Sequence, residues 1–403
     1  MSTKDSKPVA AVIATRTSAI AGLKAPSRSG RTAVLVSCAG LVLLVGSFGA
    51  LCTGLNILAA TVYDPVVAFV AASAAIGCAL PYFFAIRWID RNDPEPIVLA
   101  LSAVAWGAVL ATGLSLMANE LFGAVALAAV GDAALAEQLT ASISAPLVEE
   151  STKGFALVVL YLFFWRDFDN VLDGVVYGAL VGLGFAACEN FTYYAGTESV
   201  GGVVVMTMVR GIVIAVGLHP AFTAITGASV GAFRVMRRGF LRWLIPPVGL
   251  GFAMFAHFAW NTFYSSFSWN DEDPLAVLAS LPFAVTFLQV PFMAMVLLAA
   301  AFSLRHEDAM ILTYLATEKA PVVQDGEVRH LVPAYRRFWH GVGLLWRGDV
   351  AGWWRARQRN GKLVRLAFEK WHMDKEAEGG DLAEGRDHAL AVRDLRKELS
   401  ELT

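Results

Sequence analysis

Residues 145–154 read Ala145-Pro146-Leu147-Val148-Glu149-Glu150-Ser151-Thr152-Lys153-Gly154, and they lie inside an apolar run extending from about 143 to 164. A run of that length matches a helix crossing a hydrocarbon core of ~30 Å at 1.5 Å per residue. Two adjacent carboxylates and a lysine within it are costly, at ~2.5 to 3.5 kcal/mol for each ionisable group at the bilayer centre. The segment therefore reads as a membrane helix whose charged residues face inward to do work.

The rest of the chain supports a lipid environment. Of 403 residues, 57% are hydrophobic and 16% charged, outside the usual range of a soluble domain. Further apolar spans recur near 33–58, 66–88, 96–117, 171–195, 205–233, 243–265 and 277–304. The expected fold is all-α, a polytopic membrane protein with about eight transmembrane helices and a cytosolic C-terminal extension. A net charge of -2 gives no bias toward nucleic acid, and no such partner is expected. Cys38, Cys52, Cys78 and Cys188 are scattered through apolar stretches without close-pair spacing, so neither a disulfide framework nor a zinc knuckle is expected.

Charge placement orients the spans. Arg87, Asp90 and Arg91, then Arg166, then Arg234, Arg237, Arg238 and Arg242 fall on one side, joined by Arg305 and the basic C-terminal region. The other side carries Asp64, Glu120, Asp132, Glu137, Glu198 and Asp271-Glu272-Asp273, without Lys or Arg. The positive-inside rule puts both termini in the cytosol of a multi-pass cell-membrane protein. Three regions follow: a basic, disordered tail over 1–31, a transmembrane core over 32–304, and a cytosolic basic, helical region over 305–403. The last contains Trp346-Arg347 and Trp353-Trp354-Arg355-Ala356-Arg357. Aromatics alternating with Arg suit RNA, but beside a membrane they better suit an amphipathic segment lying on anionic headgroups.

Other spans carry the remaining chemistry: Phe185, Glu189, Asn190 and Tyr193 on the fifth, His219-Pro220 and Thr223 on the sixth, His257, Trp260 and Asn261 on the seventh. Glu149 and Lys153, Phe185 and Glu189, His219 and Thr223, and His257 and Asn261 are i,i+4 neighbours, so each helix can offer a reactive group and its orienter. Glu149 and Glu150 point ~100° apart, so one faces a site while the other pairs sideways with Lys153. Under the derived topology Glu149, Glu150, Glu189, His219 and His257 share one depth in the outer half of the bilayer. A single membrane Glu or His is often a packing contact, but five at one level call for chemistry. Arg210 and Asp173 read as interface residues.

These motifs resemble the PrsW-type (RsiW-degrading) membrane proteinases, distant relatives of the CAAX-prenyl and Abi intramembrane proteases. The likeness runs from Asp90-Arg91-Asn92-Asp93-Pro94-Glu95-Pro96 through Glu149-Glu150-Ser151-Thr152-Lys153, Phe185-Ala186-Ala187-Cys188-Glu189-Asn190 and His219 to His257-Phe258-Ala259-Trp260-Asn261. It covers about half the chain and leaves out both ends. Glu189 stands where the CAAX and Abi second motif usually has His. The resemblance implies a membrane-embedded endopeptidase acting on a membrane-anchored protein, with a single-pass anti-sigma factor as the leading substrate class.

Two chemistries suit such residues. In one, Zn²⁺ is held by Glu189, His219 and His257, and a remaining glutamate is the base. In the other, Glu149 or Glu150 activates water directly, His257 assists, Asn261 holds the oxyanion and Lys153 holds the partner glutamate ionised. No HExxH helix is present, so the metal reading lacks its commonest signature. A proton- or cation-coupled transporter built on the same buried groups is the alternative from another class, and a scaffold that has lost catalysis is a third.

Overall fold

A computed structural model describes residues 29–165, 167–197, 199–213, 217–236, 239–266, 282–324, 326–379 and 382–402. Of the basic tail expected over 1–31, residues 1–28 lie outside them, as do Arg166, Glu198, Arg237, Arg238 and Asp271-Glu272-Asp273, while residues 29–31 are helical rather than disordered, continuing the first apolar helix toward the N-terminus. Among the described residues every regular element is a helix. The chain divides into two compact units, one of residues 30–90 and 94–301, the other containing 91–93 and 302–403.

The larger unit begins with α1 (Ser29–Tyr63) and α2 (Pro65–Ile89), separated by Asp64. Asp64 caps α2 by accepting from the backbone N–H groups of Val66 and Val67, with Pro65 at the first helical position, a strong start signal. Next come α3 (Ile97–Val130), interrupted by a π-helical turn at Trp106–Ala111, then α4 (Ala133–Leu139). A π turn at Thr140–Ser144 leads into α5 (Ala145–Phe163). The unit continues with α6 (Val171–Ala195), α7 (Val200–Met206), α8 (Leu218–Val235), α9 (Ile245–Ser266) and α10 (Val290–Leu315).

Six helical stretches are long and apolar enough to cross a membrane: Val42–Tyr63, Pro65–Ile89, Ile97–Val130, Val171–Ala195, Phe240–Phe263 and Pro282–Leu315. The protein is thus multi-pass. The expected spans at 143–164 and 205–233 do not meet that measure. Glu149, Glu150 and Lys153 lower the hydropathy of α5, and the sixth is split between α7 and the polar-faced α8. Span three runs further than the expected 96–117, so Glu120 lies within α3 rather than in a loop. Many large apolar residues are exposed, among them Phe69, Val98 and Val62, as a lipid-facing surface requires.

Helix α6 is the centre: 83% of its apolar window is buried, against at most 39% in the other five. Its capping box explains where it starts. Asn170 Oδ1 accepts from the Leu172 and Asp173 N–H groups, and Asp173 Oδ2 accepts from the Asn170 N–H, so Asp173 is a helix-start residue. Its Gly174, Gly178 and Gly182 form a small-residue row against α8, the pattern by which membrane helices approach closely. A Cβ on Gly182 would come within 2.3 Å of the His219 carbonyl oxygen. That close approach brings the start of α8 against the middle of α6.

The second unit is built from the end of α10 with α11 (Val328–Leu331), α12 (Ala334–Trp346), α13 (Val350–Gly379) and α14 (Leu382–Glu401). Its core contains Ile311, Leu315, Leu331, Leu363, Leu366, Phe368 and Leu399. Beside it Glu318 accepts from Lys370 at 2.7 Å and from Arg396 at 2.6 Å. Asn92, from the expected opening motif, donates to Glu307 at 3.0 Å and accepts from Arg337.

Candidate active site

Helices α5, α6, α8 and α9 bring all the expected ionisable groups together inside the larger unit. Glu149 and Glu150 divide their tasks along α5. Both are buried, but Glu150 turns to Lys153, its Oε1 accepting from Nζ at 2.6 Å, while Glu149 lines a cavity. Lys153, fully buried, also reaches His219 Nδ1 at 3.1 Å and lies 4.3 Å from the Phe185 ring centroid. An ammonium only donates, so His219 Nδ1 accepts from it and the Nε2–H donates to Glu189 Oε2 at 2.7 Å.

His257 on α9 completes the cluster. Its Nδ1 stands 3.0 Å from Glu150 Oε1, so the ring donates there and turns Nε2 toward Glu149 Oε2, 3.9 Å away. Phe222 stacks on the His257 ring at 5.6 Å between centroids, fixing its plane. The two imidazoles meet edge to face at 5.2 Å.

The cavity occupies about 650 Å³ and is lined by Glu149, Glu189, His219, His257 and Asn261, with exposed Glu120 and Glu137 also on its wall. Asn261 donates to the Ala141 carbonyl at 2.8 Å. That carbonyl belongs to the π turn before α5, and such turns often sit at functional sites.

Glu149, His219 and His257 can place one donor atom each within 4.8 Å of one another. A carboxylate with two imidazoles is a familiar zinc donor set, and the carboxylate on the far nitrogen of His257 is the usual support for a metal-binding imidazole. Glu149 Oε2 is buried with no hydrogen-bond partner. The residues therefore fit a metal once His219 gives up the Nε2–H that it donates to Glu189, freeing that nitrogen as a ligand. Glu189, expected from the sequence as a ligand, is not in this trio. Its Oε2 is taken by His219 and by Arg210 Nη2 at 3.3 Å.

Residues 95–298 match the family described as PrsW family intramembrane metalloprotease. The chain belongs to the PrsW family. Among curated proteins it is 31% identical over 176 residues to Protease PrsW of Geobacillus kaustophilus, covering 43% of this chain and 71% of that one. To Protease PrsW of Bacillus subtilis it is 33% identical over 129 residues, covering 32% of this chain and 55% of the relative. No solved structure matches. These PrsW likenesses support an intramembrane protease and do not favour the transporter alternative.

Sequence reasoning missed several contributors. Asn119 donates to Glu149 Oε1 at 3.4 Å and accepts from Ser144 Oγ at 2.8 Å, which orients the carboxylate. It escaped notice because it lies beyond residue 117, where the third span was expected to end. Arg210, read as an interface residue, holds Glu189, donates to Asn190 Oδ1 at 3.2 Å and lies over the Tyr193 ring. Its neighbourhood depends on α6 meeting the π-helical segment Thr207–Val213 that follows α7, which local spacing does not encode.

Proposed function

We propose that this PrsW-family chain hydrolyses a peptide bond of a membrane-anchored protein, with Glu149 either activating the attacking water directly as base or, with His219 and His257, holding a Zn²⁺ that would acidify it. The observation that carries this reading is the buried Glu149 Oε2 on the cavity wall, which makes no hydrogen bond and stands 3.9 Å from both His257 Nε2 and Lys153 Nζ. When bound, zinc would polarise the scissile carbonyl and acidify its water.

The chain's own residues supply the rest. Glu149 takes the proton of the attacking water, and Asn119 keeps its carboxylate aimed. In the metal-free route Glu150 holds His257 by Nδ1, leaving Nε2 to take that proton from Glu149 and hand it to the departing amine. Lys153 keeps Glu150 ionised and anchors His219. Asn261 Nδ2 has a second N–H beyond the one given to Ala141, available to the developing oxyanion. Burial among apolar helices strengthens each of these contacts by excluding water.

In this reading α5 and α8 also cross the bilayer, for eight spans, with both termini in the cytosol and the reactive layer in its outer half. Their polar faces are then covered by α6 and α9. A single-pass anti-sigma factor is the leading substrate class, by family resemblance.

The test compares new protein N-termini in membranes of cells expressing wild type, Glu149→Gln or His257→Ala at matched levels. Cleavages near the outer leaflet that appear with wild type alone support the reading and name substrates. Three identical profiles from folded, abundant protein would remove it.

A further inference from the structure

Helix α12 turns its apolar stripe outward, where the helix of an ordinary soluble unit would bury it. Tyr335, Phe338, Trp339, Leu345 and Trp346 recur at i, i+3, i+4, i+10 and i+11, which places them on one side of a helix. All five are exposed, Trp346 at 88% and Trp339 at 63%. The adjoining side meets α13, where a Cβ on Gly341 would touch Trp353 at 3.2 Å. The stripe continues onto the first turns of α13 through exposed Val350 and Trp354.

Charge indicates what covers this stripe. From 334 to 368 the chain has eight Lys and Arg against a single acid, Asp349. Arg336 on α12 and Arg347 just after its end flank the stripe, and Arg355 follows it on α13; all three are exposed and make no ion pair among the described residues. Aromatics on one side with guanidinium groups along its edge are the composition of a helix lying in the headgroup layer, rings in the acyl boundary and cations on phosphate. A flat apolar protein partner would not need the cations.

We propose that α12 and the first two turns of α13 form a lipid-binding surface that rests on anionic headgroups. The inference is independent of the protease reading, because none of its residues lines the cavity.

The test uses the full chain in nanodiscs of phosphatidylcholine alone or mixed with phosphatidylglycerol. A photoreactive benzoylphenylalanine replaces Trp339 or, in a second variant, Trp346. The expected result is lipid adduct that rises about tenfold with phosphatidylglycerol and falls in 1 M salt, where screening reaches to ~3 Å. A triple Arg336→Glu, Arg347→Glu, Arg355→Glu background should abolish that rise while leaving the helical circular dichroism unchanged, since the three side chains are exposed. Equal adduct in both lipid mixtures, adduct to a second copy of the chain, or adduct to copurifying RNA would each overturn the proposal. A wild-type rise in the triple variant would do so too.

Discussion

Glu150 and His257, 107 residues apart, meet at 3.0 Å through Oε1 and Nδ1, and the same oxygen accepts from Lys153 at 2.6 Å. One carboxylate oxygen thus ties α5 to α9 and neutralises a fully buried ammonium. Glu149, one residue earlier, has no comparable anchor.

The two glutamates should therefore fail differently. Glu150→Gln leaves the buried Lys153 charge with only the more distant Glu149, 3.9 Å away, a loss of up to ~3–5 kcal/mol, so the purified protein should melt earlier as well as lose cleavage. Glu149→Gln should keep the wild-type melting temperature and lower the cleavage rate by ~10²–10⁴-fold, the usual size of a general-base contribution. Parallel melting curves and cleavage assays check both, and similar melting of the two variants would contradict the division of roles.

Gly182 carries the placement of His219. Gly182→Ala puts a methyl group 2.3 Å from the His219 backbone oxygen, which forces α6 and α8 apart and costs about 1–3 kcal/mol as overpacking. Gly251→Ala on α9 meets nothing within 4 Å and should be neutral or stabilising by up to ~1 kcal/mol through helix propensity. Thermal melting of the two variants side by side measures the contrast.

Metal content separates the two routes open to Glu149. If Glu149, His219 and His257 hold Zn²⁺, elemental analysis of purified wild type should give about one zinc per chain, as a single three-residue site takes. His219→Ala and His257→Ala should each lose it, while Glu120→Gln keeps it. Wild type that cleaves substrate with no zinc would assign the water to Glu149 alone.

Glu318 makes the second unit acid-sensitive. Burial raises its carboxyl, but hydrogen bonds from Arg396 and Lys370 outweigh this and hold it below the ordinary glutamate range. Above that range both folded and unfolded carboxyls are ionised and the full stabilisation is present. As pH falls below about 4.3 the unfolded chain binds the proton first, so stability declines until the folded carboxyl also titrates. Hydrogen exchange at residues 311–318 and 363–370, normalised for intrinsic rate, should show protection falling between pH 5 and pH 3. Glu318→Gln should flatten that dependence.

Much of the site was legible because lipid makes each buried ionisable residue expensive: Glu149, Glu150, Lys153, Glu189, His219 and His257 stand out against their apolar neighbours. The same cost obscured two helices. The polar residues that mark α5 and α8 as functional also lower their hydropathy, so composition credits six crossing segments where charge alternation suggests eight. Asn119 and Arg210 were not legible in their roles, since an amide near a helix end and an arginine near an expected boundary are ordinary surface features until a partner helix is known.

By itself, the sequence determined the all-helical membrane architecture and the inventory of reactive groups, because span length follows bilayer thickness and residue type follows the cost of burial. The 100° step of a helix also determined that Glu149 and Glu150 diverge. Tertiary structure decided which partner each one met. The meeting of Glu189 with His219, of Glu149 with the two imidazoles, and of Glu150 with Lys153 and His257 depends on how closely α6 lets α8 approach through its glycine row, and on where α9 sets His257 against α5. Those are distances between segments far apart in the chain, and only packing assigns them.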